Sequence, residues 1–374
     1  MSKIIISVTN DLMTDQRVHR IASSLAEYGA EITLVGRKLK RSKPLEPLSY
    51  QTVRFTLLFN KGFLFYAAYN FRLFIYLLFS KFDALVSNDL DTLPANYLIS
   101  IIRRKTLVYD SHELYTEVPE LIGRKRIQNI WRKIEKNILP KIKYCYTVSP
   151  SIARYYNELY HIKMVVIRNL PVRNRSHSLP DRKIELPKKK IIIYQGSVNL
   201  GRGLEKMIRA MNFIDDSLFV IVGDGDVKQQ LELLVNNEKL TDKVLFTGRL
   251  AFSQIRQYTI QASLGVSLEE NLGLNYYYSL PNKVFDYIQS GIPVLTSDFP
   301  EVSNIVHTYN IGATTQLSDP AALAEVIKDM LTNENKIKIW KTNLDKAAKE
   351  LCWEIEEQNL LSIYRQAGIL KNLL

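Results

Sequence analysis

The sequence predicts an α/β protein of two domains, each built on a doubly wound parallel sheet, and three features indicate this. Short apolar runs alternate with helical segments through both halves of the 374 residues. A polar stretch without periodicity, 173–189, separates the two series of runs and contains two prolines. A chain of this length, with 46% hydrophobic and 24% charged residues, can bury two substantial cores. We therefore expect domains at 1–172 and 190–352, a linker at 173–189 and a terminal helix at 353–374.

The first half is expected to contain five parallel strands, with a helix after the first of them. Val18, Ile21 and Leu25 recur at helical spacing within 15–28, which predicts an amphipathic helix there. Short apolar runs predict the strands, which are Lys3–Val8, Ile32–Val35, Ala84–Ser87, Thr106–Tyr109 and Tyr144–Val148.

The second half repeats this pattern and ends in an amphipathic helix at 353–374. Helical segments again separate the apolar runs, as the crossover connections of a parallel sheet require. The predicted strands are Lys190–Tyr194, Leu218–Val222, Val244–Thr247, Leu264–Ser267 and Val294–Thr296.

The charge is distributed unevenly between the two halves. Residues 1–172 hold 26 Lys and Arg against 14 Asp and Glu, whereas residues 173–374 hold 24 of each, so the first half carries the whole net charge of +12. A basic domain suits a nucleic acid, an anionic membrane surface or an anionic substrate. The sequence contains no zinc knuckle or RNP aromatic signature, which argues against nucleic acid.

Two segments of the first half favour contact with a membrane surface. Phe63–Phe79 is apolar apart from Asn70 and Arg72, but it is short and interrupted for a transmembrane helix, and a buried helix of the first domain explains it too. Ile122–Lys143 holds eight basic residues with Trp131 between them, as in helices that lie on anionic lipid. A solvated helical face explains the second segment equally well.

The cysteines and the N-terminus indicate a cytoplasmic protein. Cys145 and Cys352 are too few for a disulfide framework or a cysteine metal site. The first residues, MSKIIISVTND, are expected to form a β-strand instead of a signal peptide, because they lack a long apolar region and a small-residue cleavage site.

The most informative stretch is Leu280–Ser297, LPNKVFDYIQSGIPVLTS. It predicts a short helix that begins at a proline, ends at Gly291 and leads into a buried strand. The helix would present free N–H groups and Asn282 and Lys283 to phosphate, and Asp286 to ribose hydroxyls. On its own, the segment also fits an ordinary capped helix, which is the commoner case.

Three glycine-containing loops follow predicted strands of the second half. Glycine lets backbone N–H groups approach a phosphate closely, and an arginine beside them can grip it with a planar fork. Tight β-to-α turns explain the same glycines. The candidate phosphate- or nucleotide-binding residues in these loops are Gly196, Ser197, Arg202, Gly223, Gly225, Gly248 and Arg249.

The order and spacing of these motifs resemble the donor site of family-4 glycosyltransferases. That family has the GT-B fold, in which two Rossmann-like domains face each other across a cleft and a C-terminal helix crosses back to the first domain. Asp286 falls at the second acidic position of the family's Glu-x7-Glu motif, because Gly291-Ile292-Pro293-Val294 follows at the family's spacing. Tyr278 occupies the first acidic position, which is a departure from the family.

The resemblance also assigns the basic residues of the donor site. Arg202 matches the second basic position of the family's phosphate grip, whereas Ser197 replaces the first. Lys283 is expected to supply the missing charge. A charge-reversing Lys283→Glu change should then weaken donor binding far more than stability.

In the first half, Asp110-Ser111-His112-Glu113 resembles an Asp-x-His-Glu motif found in one branch of the family. The resemblance places His112 beside the transferred sugar as a catalytic residue, together with Asp286. Helix capping also explains several of the carboxylates, Asp15 among them. The acceptor-side candidates are Asp15, Arg17, Asn88, Glu113 and Glu117.

The resemblance implies no metal and no resident cofactor. Asn88-Asp89-Leu90-Asp91 is similar to the Asp-x-Asp metal motif of the other major glycosyltransferase fold. We attribute these carboxylates to helix capping, because GT-B enzymes usually hold the diphosphate with helix ends and basic side chains.

Together these expectations describe a retaining glycosyltransferase. Its donor would be a nucleoside-diphosphate sugar of the UDP or GDP type, and its acceptor a saccharide or a polyprenyl-diphosphate-linked sugar in surface polysaccharide biosynthesis. The basic first half suits peripheral attachment to the inner face of the cytoplasmic membrane. Two alternatives remain open: a nucleotide-sugar 2-epimerase of the same fold, and a non-catalytic nucleotide-binding member.

Overall fold

The computed structural model describes residues 1–13, 15–40, 42, 44–45, 47–121, 123–173, 184–316 and 319–371. It divides into two compact units. Unit 1 comprises Met1–Asn169 and Glu356–Leu374, and unit 2 comprises Leu170–Ile355. The first division lies three residues before the expected boundary at 172, and residues 174–183 of the expected linker lie outside the described residues.

Unit 1 is built on a seven-stranded parallel sheet with the order β3-β2-β1-β4-β5-β6-β7. The five predicted strands are confirmed, and two edge strands were missed. Both missed strands are largely half-exposed, so they lack the apolar run that marked the others. The strands are β1 (Lys3–Asp11), β2 (Glu31–Arg37), β3 (Gln51–Phe55), β4 (Ala84–Asn88), β5 (Thr106–Ser111), β6 (Tyr144–Thr147) and β7 (Met164–Val166).

Five α-helices connect these strands. The first is stabilised as its sequence predicts: Asp15 caps it by accepting from the Val18 N–H at 3.2 Å, and Val18, Ile21 and Leu25 are buried. The helices are α1 (Gln16–Glu27), α2 (Gly62–Phe79), α3 (Asp89–Arg103), α4 (Lys125–Ile138) and α5 (Pro150–Tyr160).

Helix α2 is not the buried helix that its composition suggested. Only one stripe of it is buried, formed by Phe65, Tyr69, Leu73 and Leu77 at intervals of four residues. Most of its remaining aromatic and aliphatic side chains face outward. By length and composition alone, α2 is the one helix in the described part of the chain that could cross a membrane.

Helix α4 turns its tryptophan inward, contrary to the expectation that Trp131 lies among the exposed basic residues. Trp131 is 8% exposed and packs edge-on against Tyr66 and Tyr115, each at 5.2 Å between ring centroids. Glu135, one turn further, is also buried and accepts from the Tyr160 hydroxyl at 2.7 Å. The basic residues of α4 therefore line its outer face without an acidic residue of the helix among them.

Unit 2 is built on a six-stranded parallel sheet with the order β10-β9-β8-β11-β12-β13. The five predicted strands are confirmed here too, and the missed sixth is a half-exposed edge strand. The strands are β8 (Lys190–Gln195), β9 (Ser217–Val222), β10 (Val244–Gly248), β11 (Leu264–Ser267), β12 (Val294–Ser297) and β13 (Gly312–Thr315).

Helices cover both faces of the second sheet, and on each face one cluster of buried apolar side chains lies between the helices and the sheet. These helices are α6 (Leu204–Ala210), α7 (Lys228–Asn237), α8 (Phe252–Thr259), α9 (Leu274–Tyr277), α10 (Asn282–Gln289), α11 (Pro300–Tyr309), α12 (Pro320–Thr332) and α13 (Glu334–Glu350). The chain ends in α14 (Trp353–Gln366), most of which belongs to unit 1.

Contacts with β6 and with Arg168 hold α14 in unit 1, as expected of the terminal helix. The Tyr364 ring lies 6.5 Å from that of Tyr146 on β6, centroid to centroid. The Glu356 carboxylate accepts from the Arg168 backbone N–H at 3.0 Å and from its guanidinium at 2.9 Å.

The strand order locates the place in each unit where a ligand site is expected. The order reverses between β1 and β4 in the first sheet and between β8 and β11 in the second. In open α/β sheets, ligands bind outside the carboxyl ends of the strands at such a reversal.

Candidate functional site

In unit 1, His112 lies directly after β5 and between two carboxylates. Its Nδ1 lies 3.3 Å from Asp89 Oδ2, and its Nε2 lies 3.2 Å from Asp110 Oδ2. The His112 backbone N–H also donates to Asp89 Oδ1 at 2.8 Å. Asp89 follows β4 directly, so the topology brings the ends of two neighbouring strands to one imidazole.

Arg17 is the fourth residue of this cluster and contacts Asp110. Its guanidinium is 5% exposed and donates to Asp110 Oδ1 at 2.8 Å and to the Ile167 carbonyl at 3.3 Å. Asp110, which is fully buried, therefore joins the arginine to the imidazole. The structure therefore shows Arg17 buried and bonded to Asp110, and its predicted role at an acceptor stays a prediction.

The carboxylates set the protonation of His112. Burial lowers its pKa, but the nearby Asp89 and Asp110 charges outweigh that effect and raise the pKa to about 9. Burial opposes ionisation of Asp110, yet the Arg17 and His112 charges hold the pKa of that carboxyl below its usual range. At neutral pH the imidazole is therefore a cation with both ring nitrogens protonated, a hydrogen-bond donor and not a base.

A third acid, Asp91, lies in the first turn of α3. It is 7% exposed and accepts from the Thr9 hydroxyl. Burial and the charge of Asp89 raise its pKa to about 8, so it is largely protonated at pH 7. The expectation that capping explains Asp89 and Asp91 is wrong, because no side chain caps α3 and both carboxyls bond elsewhere.

The other acceptor-side candidates are held in different ways. Asn88 is buried and donates to the Ser7 carbonyl at 3.0 Å, and Asp15 caps α1. Glu117 accepts from the exposed Arg132 guanidinium at 2.8 Å. Glu113 is half-buried beside His112. Their predicted role at an acceptor stays a prediction.

In unit 2, Lys283 lies in the first turn of α10 and faces inward. It is 8% exposed; its Nζ lies 2.6 Å from Glu269 Oε1 and 4.6 Å from the centre of the Tyr194 ring. Asp286, one turn later, accepts from the Gln195 side chain at 2.8 Å. Both candidates therefore meet the end of β8, where the first glycine loop begins.

Arg202 shares the carboxylate of Lys283. Its guanidinium lies 3.5 Å from Glu269 Oε1 and 4.7 Å above the Tyr276 ring, and a quarter of its side chain is exposed. Burial opposes ionisation of Glu269, but the Lys283 and Arg202 charges lower its pKa below the ordinary value. Burial lowers the pKa of Lys283, and the Glu269 charge opposes this; with both cations ionised, this position carries a net charge of +1.

Glu269 is the residue that sequence reasoning missed. It follows β11 by one residue, is 2% exposed and also accepts from the Ser267 hydroxyl at 2.8 Å. The position of Glu269 just beyond a buried strand was the available signal. A carboxylate is thus present in this site although Tyr278 stands where the family has its first Glu.

The three glycine loops lie side by side at the carboxyl ends of β8, β9 and β10. The Gly223 N–H donates to the Gly248 carbonyl at 3.0 Å, and a Cβ on Gly223 would lie 1.8 Å from the Gly196 carbonyl oxygen. Only glycine fits such an approach. Gly225 is packed as tightly, with a Cβ position 2.3 Å from Asn199 Oδ1.

Three further donor-site candidates are exposed at this edge. They are Ser197 after the first loop, Arg249 after β10 and Asn282 at the start of α10. No side chain caps α10, and in its first turn the Val284 N–H donates to the Pro281 carbonyl at 3.1 Å. The structure thus brings Lys283 and Arg202 onto Glu269 and packs Gly196 beside Lys283 and Gly223 beside Gly196, whereas the donor-binding role of these residues stays a prediction.

No group of three His, Cys, Asp or Glu suited to a metal ion occurs among the residues that the structure describes. Whether the reaction needs a metal is not decided by this observation. The expected metal independence stays a prediction.

Two families match the chain, one in each half. The family described as Glycosyltransferase Family 4 matches residues 15–170. The family described as Glycosyl transferases group 1 matches residues 179–348. Together the matched segments take in most of both units.

Among characterised proteins, the sulfoquinovosyl transferase SQD2 of Arabidopsis thaliana is 24% identical over 148 residues. These residues are 39% of this chain and 27% of that protein, so the chain matches about a quarter of the relative's length.

Two solved structures are similar over almost the whole chain. Sucrose-phosphate synthase from Thermosynechococcus elongatus has a TM-score of 0.80 at 18% identity, covering 98% of this chain and 99% of that one. HepE from Anabaena, solved with UDP-glucose, has a TM-score of 0.73 at 14% identity; the match covers 98% of this chain and 100% of HepE. At such identities the likeness concerns the fold, and it confirms the predicted GT-B class.

The Lys283–Glu269 pair gives the first testable prediction. Lys283→Met leaves the buried Glu269 with one counter-charge, that of the more distant Arg202, and breaking a buried pair in this way costs about 3–5 kcal/mol of unfolding free energy. The double variant Lys283→Met/Glu269→Gln, which removes both charges, should recover most of that loss. Urea denaturation of the three proteins measures both values.

Equal stability of the single and double variants would contradict this account of the pair. The same pairing changes the expectation for Lys283→Glu. That substitution places two buried carboxylates together, so it should impair stability as well as donor binding.

The titration of His112 gives the second prediction. A folded-state pKa of about 9, raised from 6.5, means that the ionised imidazole stabilises the fold fully below about pH 6.5 and ceases to do so as the pH rises through 9. NMR of the imidazole carbons should show a midpoint near 9, assigned by its absence in His112→Gln. Asp110→Asn should move the midpoint down. A wild-type midpoint near 6.5 would refute the cationic imidazole.

Proposed function

Because the chain belongs to the family-4 glycosyltransferases, with one matched family domain in each half, we propose that it transfers a sugar from a nucleoside-diphosphate donor to a saccharide or lipid-linked acceptor. We further propose that the anomeric configuration is retained and that no metal takes part. The observation that carries the proposal is the cluster of Lys283 and Arg202 on the buried Glu269 beside the glycine loops.

The chemistry of this cluster suits the diphosphate of a donor. Glu269 fixes the two cations and leaves a net charge of +1, which attracts an anion without exposing two like charges to each other. Arg202 lies over the Tyr276 ring and beside Glu269, so its remaining N–H groups are oriented before the ligand arrives. In sugar transfer the diphosphate becomes the leaving group, and fixed cations stabilise the charge that develops on it.

Asp286 and Gln195 suit the hydroxyl groups of the donor. Their side chains are joined by a hydrogen bond of 2.8 Å, so each orients the other. A carboxylate oriented in this way accepts from hydroxyls, as expected of the residue at the family's second acidic position.

His112 suits an electrostatic role. Its Nε2 faces Asp110 and its Nδ1 lies 3.3 Å from Asp89, so it would act on a sugar or phosphate oxygen through its positive charge or by sharing one of these N–H groups, whereas it cannot accept a proton at neutral pH. Arg17, through Asp110, keeps it in place. We therefore propose that His112 stabilises negative charge or orients a hydroxyl.

We propose that the nucleotide of the donor is UDP in preference to GDP. HepE, which shares the fold, was solved with UDP-glucose. The net charge of +12 in residues 1–172 supports an anionic acceptor such as a polyprenyl-diphosphate-linked sugar. Such acceptors lie in the membrane, so we propose that the protein acts on the cytoplasmic face, peripherally attached, in surface polysaccharide assembly.

Nucleotide binding gives the third prediction. UDP at about 100 times its dissociation constant should stabilise the wild type by about 2.7 kcal/mol, a readable rise in Tm. Arg202→Gln removes one of the two cations and should weaken UDP binding at least about tenfold, as expected for a charge-assisted bond worth about 1.5–3 kcal/mol. The same Tm measurement with GDP, ADP and CMP identifies the base that the protein prefers.

The matched control is Arg209→Gln in the same unit. Arg209 forms exposed ion pairs with Glu205 and Glu238, away from the glycine loops, so its loss should leave UDP binding unchanged. If no nucleotide stabilises the wild type, or if both variants bind equally well, the donor site is not where we propose it. Release of epimerised donor without an acceptor would identify a 2-epimerase.

A further inference from the structure

A surface pocket of about 320 Å³ lies in unit 1 at the amino ends of β5 and β6, the edge of the sheet opposite His112. Of the ten described residues that line it, three are lysines and none is a carboxylate. The lysines are Lys105, which precedes β5, and Lys141 and Lys143, which precede β6. The pocket is therefore a concentration of positive charge that the proposed sugar transfer does not use.

Two of these lysines are available to an anion. Lys141 lies 5.9 Å from the centre of the Tyr97 ring, and Lys143 lies 5.2 Å from that of Tyr144. Neither makes an ion pair with a carboxylate within the described residues. Lys105 differs, because its Nζ lies 3.2 Å from the half-exposed carboxylate of Asp83.

An exposed apolar surface borders the pocket. It consists of Leu98, Ile101 and Ile102 on the last turns of α3 and Phe79 at the end of α2, and we call it the α2–α3 apolar surface. The three aliphatic side chains are 51–57% exposed and Phe79 is 81% exposed. Ile101 also lines the pocket, so the two features are continuous.

The ends of α2 and α3 are fixed to each other. Arg103 donates to the carbonyls of Leu78 at 2.9 Å and Ser80 at 3.3 Å, which holds the two helix ends side by side. Two more basic residues, Lys81 and Arg104, are exposed directly after these helices. Large apolar side chains thus protrude within a rim of positive charge.

A soluble partner would have to be both acidic and apolar to cover this surface, whereas the surface of an anionic bilayer offers both properties at once. We infer that the lysine pocket binds the phosphate-bearing headgroup of an anionic lipid, while the α2–α3 apolar surface enters the acyl boundary. This inference rests on the membrane-surface location given in the proposed function, and it assigns the membrane contact to one edge of unit 1. The tryptophan of α4 takes no part, because it is buried.

Vesicle binding by the full chain tests the inference. Wild-type protein should co-sediment with vesicles of phosphatidylcholine and phosphatidylglycerol but not with phosphatidylcholine alone. Each lysine near an anionic surface strengthens binding about fivefold, so Lys141→Glu/Lys143→Glu should weaken it at least about 25-fold. Ile101→Ser/Ile102→Ser should also weaken it, because the apolar contribution is lost.

The matched control carries the same two charge reversals on the outer face of α4, Lys125→Glu/Lys133→Glu, where both lysines are exposed. It should bind much more strongly than the Lys141→Glu/Lys143→Glu variant. Equal loss in both would mean that net charge and not the pocket attracts the vesicle, which overturns the inference. Unchanged binding by the isoleucine variant would overturn the apolar half of it.

Two further results separate the possible causes of failure. If wild-type protein ignores the anionic vesicles but still binds UDP, the membrane location fails and the donor site stands. If anionic vesicles do not bind the wild type while inorganic phosphate raises its Tm but not that of Lys141→Glu/Lys143→Glu, the pocket takes a soluble phosphate. That result would overturn the lipid assignment.

Discussion

The buried carboxylate of Glu269 is the interaction on which the candidate donor site depends. It lies 2.6 Å from Lys283 Nζ and 3.5 Å from the Arg202 guanidinium, so one negative charge fixes two cations that come from separate elements. Without it, burial of Lys283 would favour the neutral amine. Burial lowers the pKa of Lys283, and the Glu269 charge opposes that shift next to the first glycine loop.

Unit 1 contains a similar cluster of charged side chains, with the signs of the charges reversed. There a single imidazole lies between the two carboxylates Asp89 and Asp110, and the buried Arg17 balances the second of them. In both units the charged cluster lies at the carboxyl ends of strands on either side of the reversal in strand order. Parallel sheets gather loop residues from distant parts of the chain at that edge, which is why these clusters form there.

Much of this arrangement could be predicted from local sequence. The apolar runs give ten of the strands, and Lys283, Asp286 and the glycines lie in short motifs whose geometry is local. The short, half-exposed edge strands could not be predicted, because their pairing depends on the neighbouring strand and not on burial of both faces.

The errors of the sequence interpretation have a common cause. Glu269, Asp89 and Trp131 each take their role from a contact with a residue far along the chain: Lys283, His112 and Tyr66. A motif cannot reveal such a partner. Capping explains a carboxylate near a helix start equally well until the fold shows what lies opposite.

The most direct measurement is a crystal structure of the protein with UDP. The account predicts that oxygens of the diphosphate lie within hydrogen-bond distance of the Arg202 guanidinium and Lys283 Nζ, with Glu269 still contacting both cations. The glycine loops after β8 and β9 would lie alongside the nucleotide. A nucleotide bound with its diphosphate away from these two side chains would contradict the account.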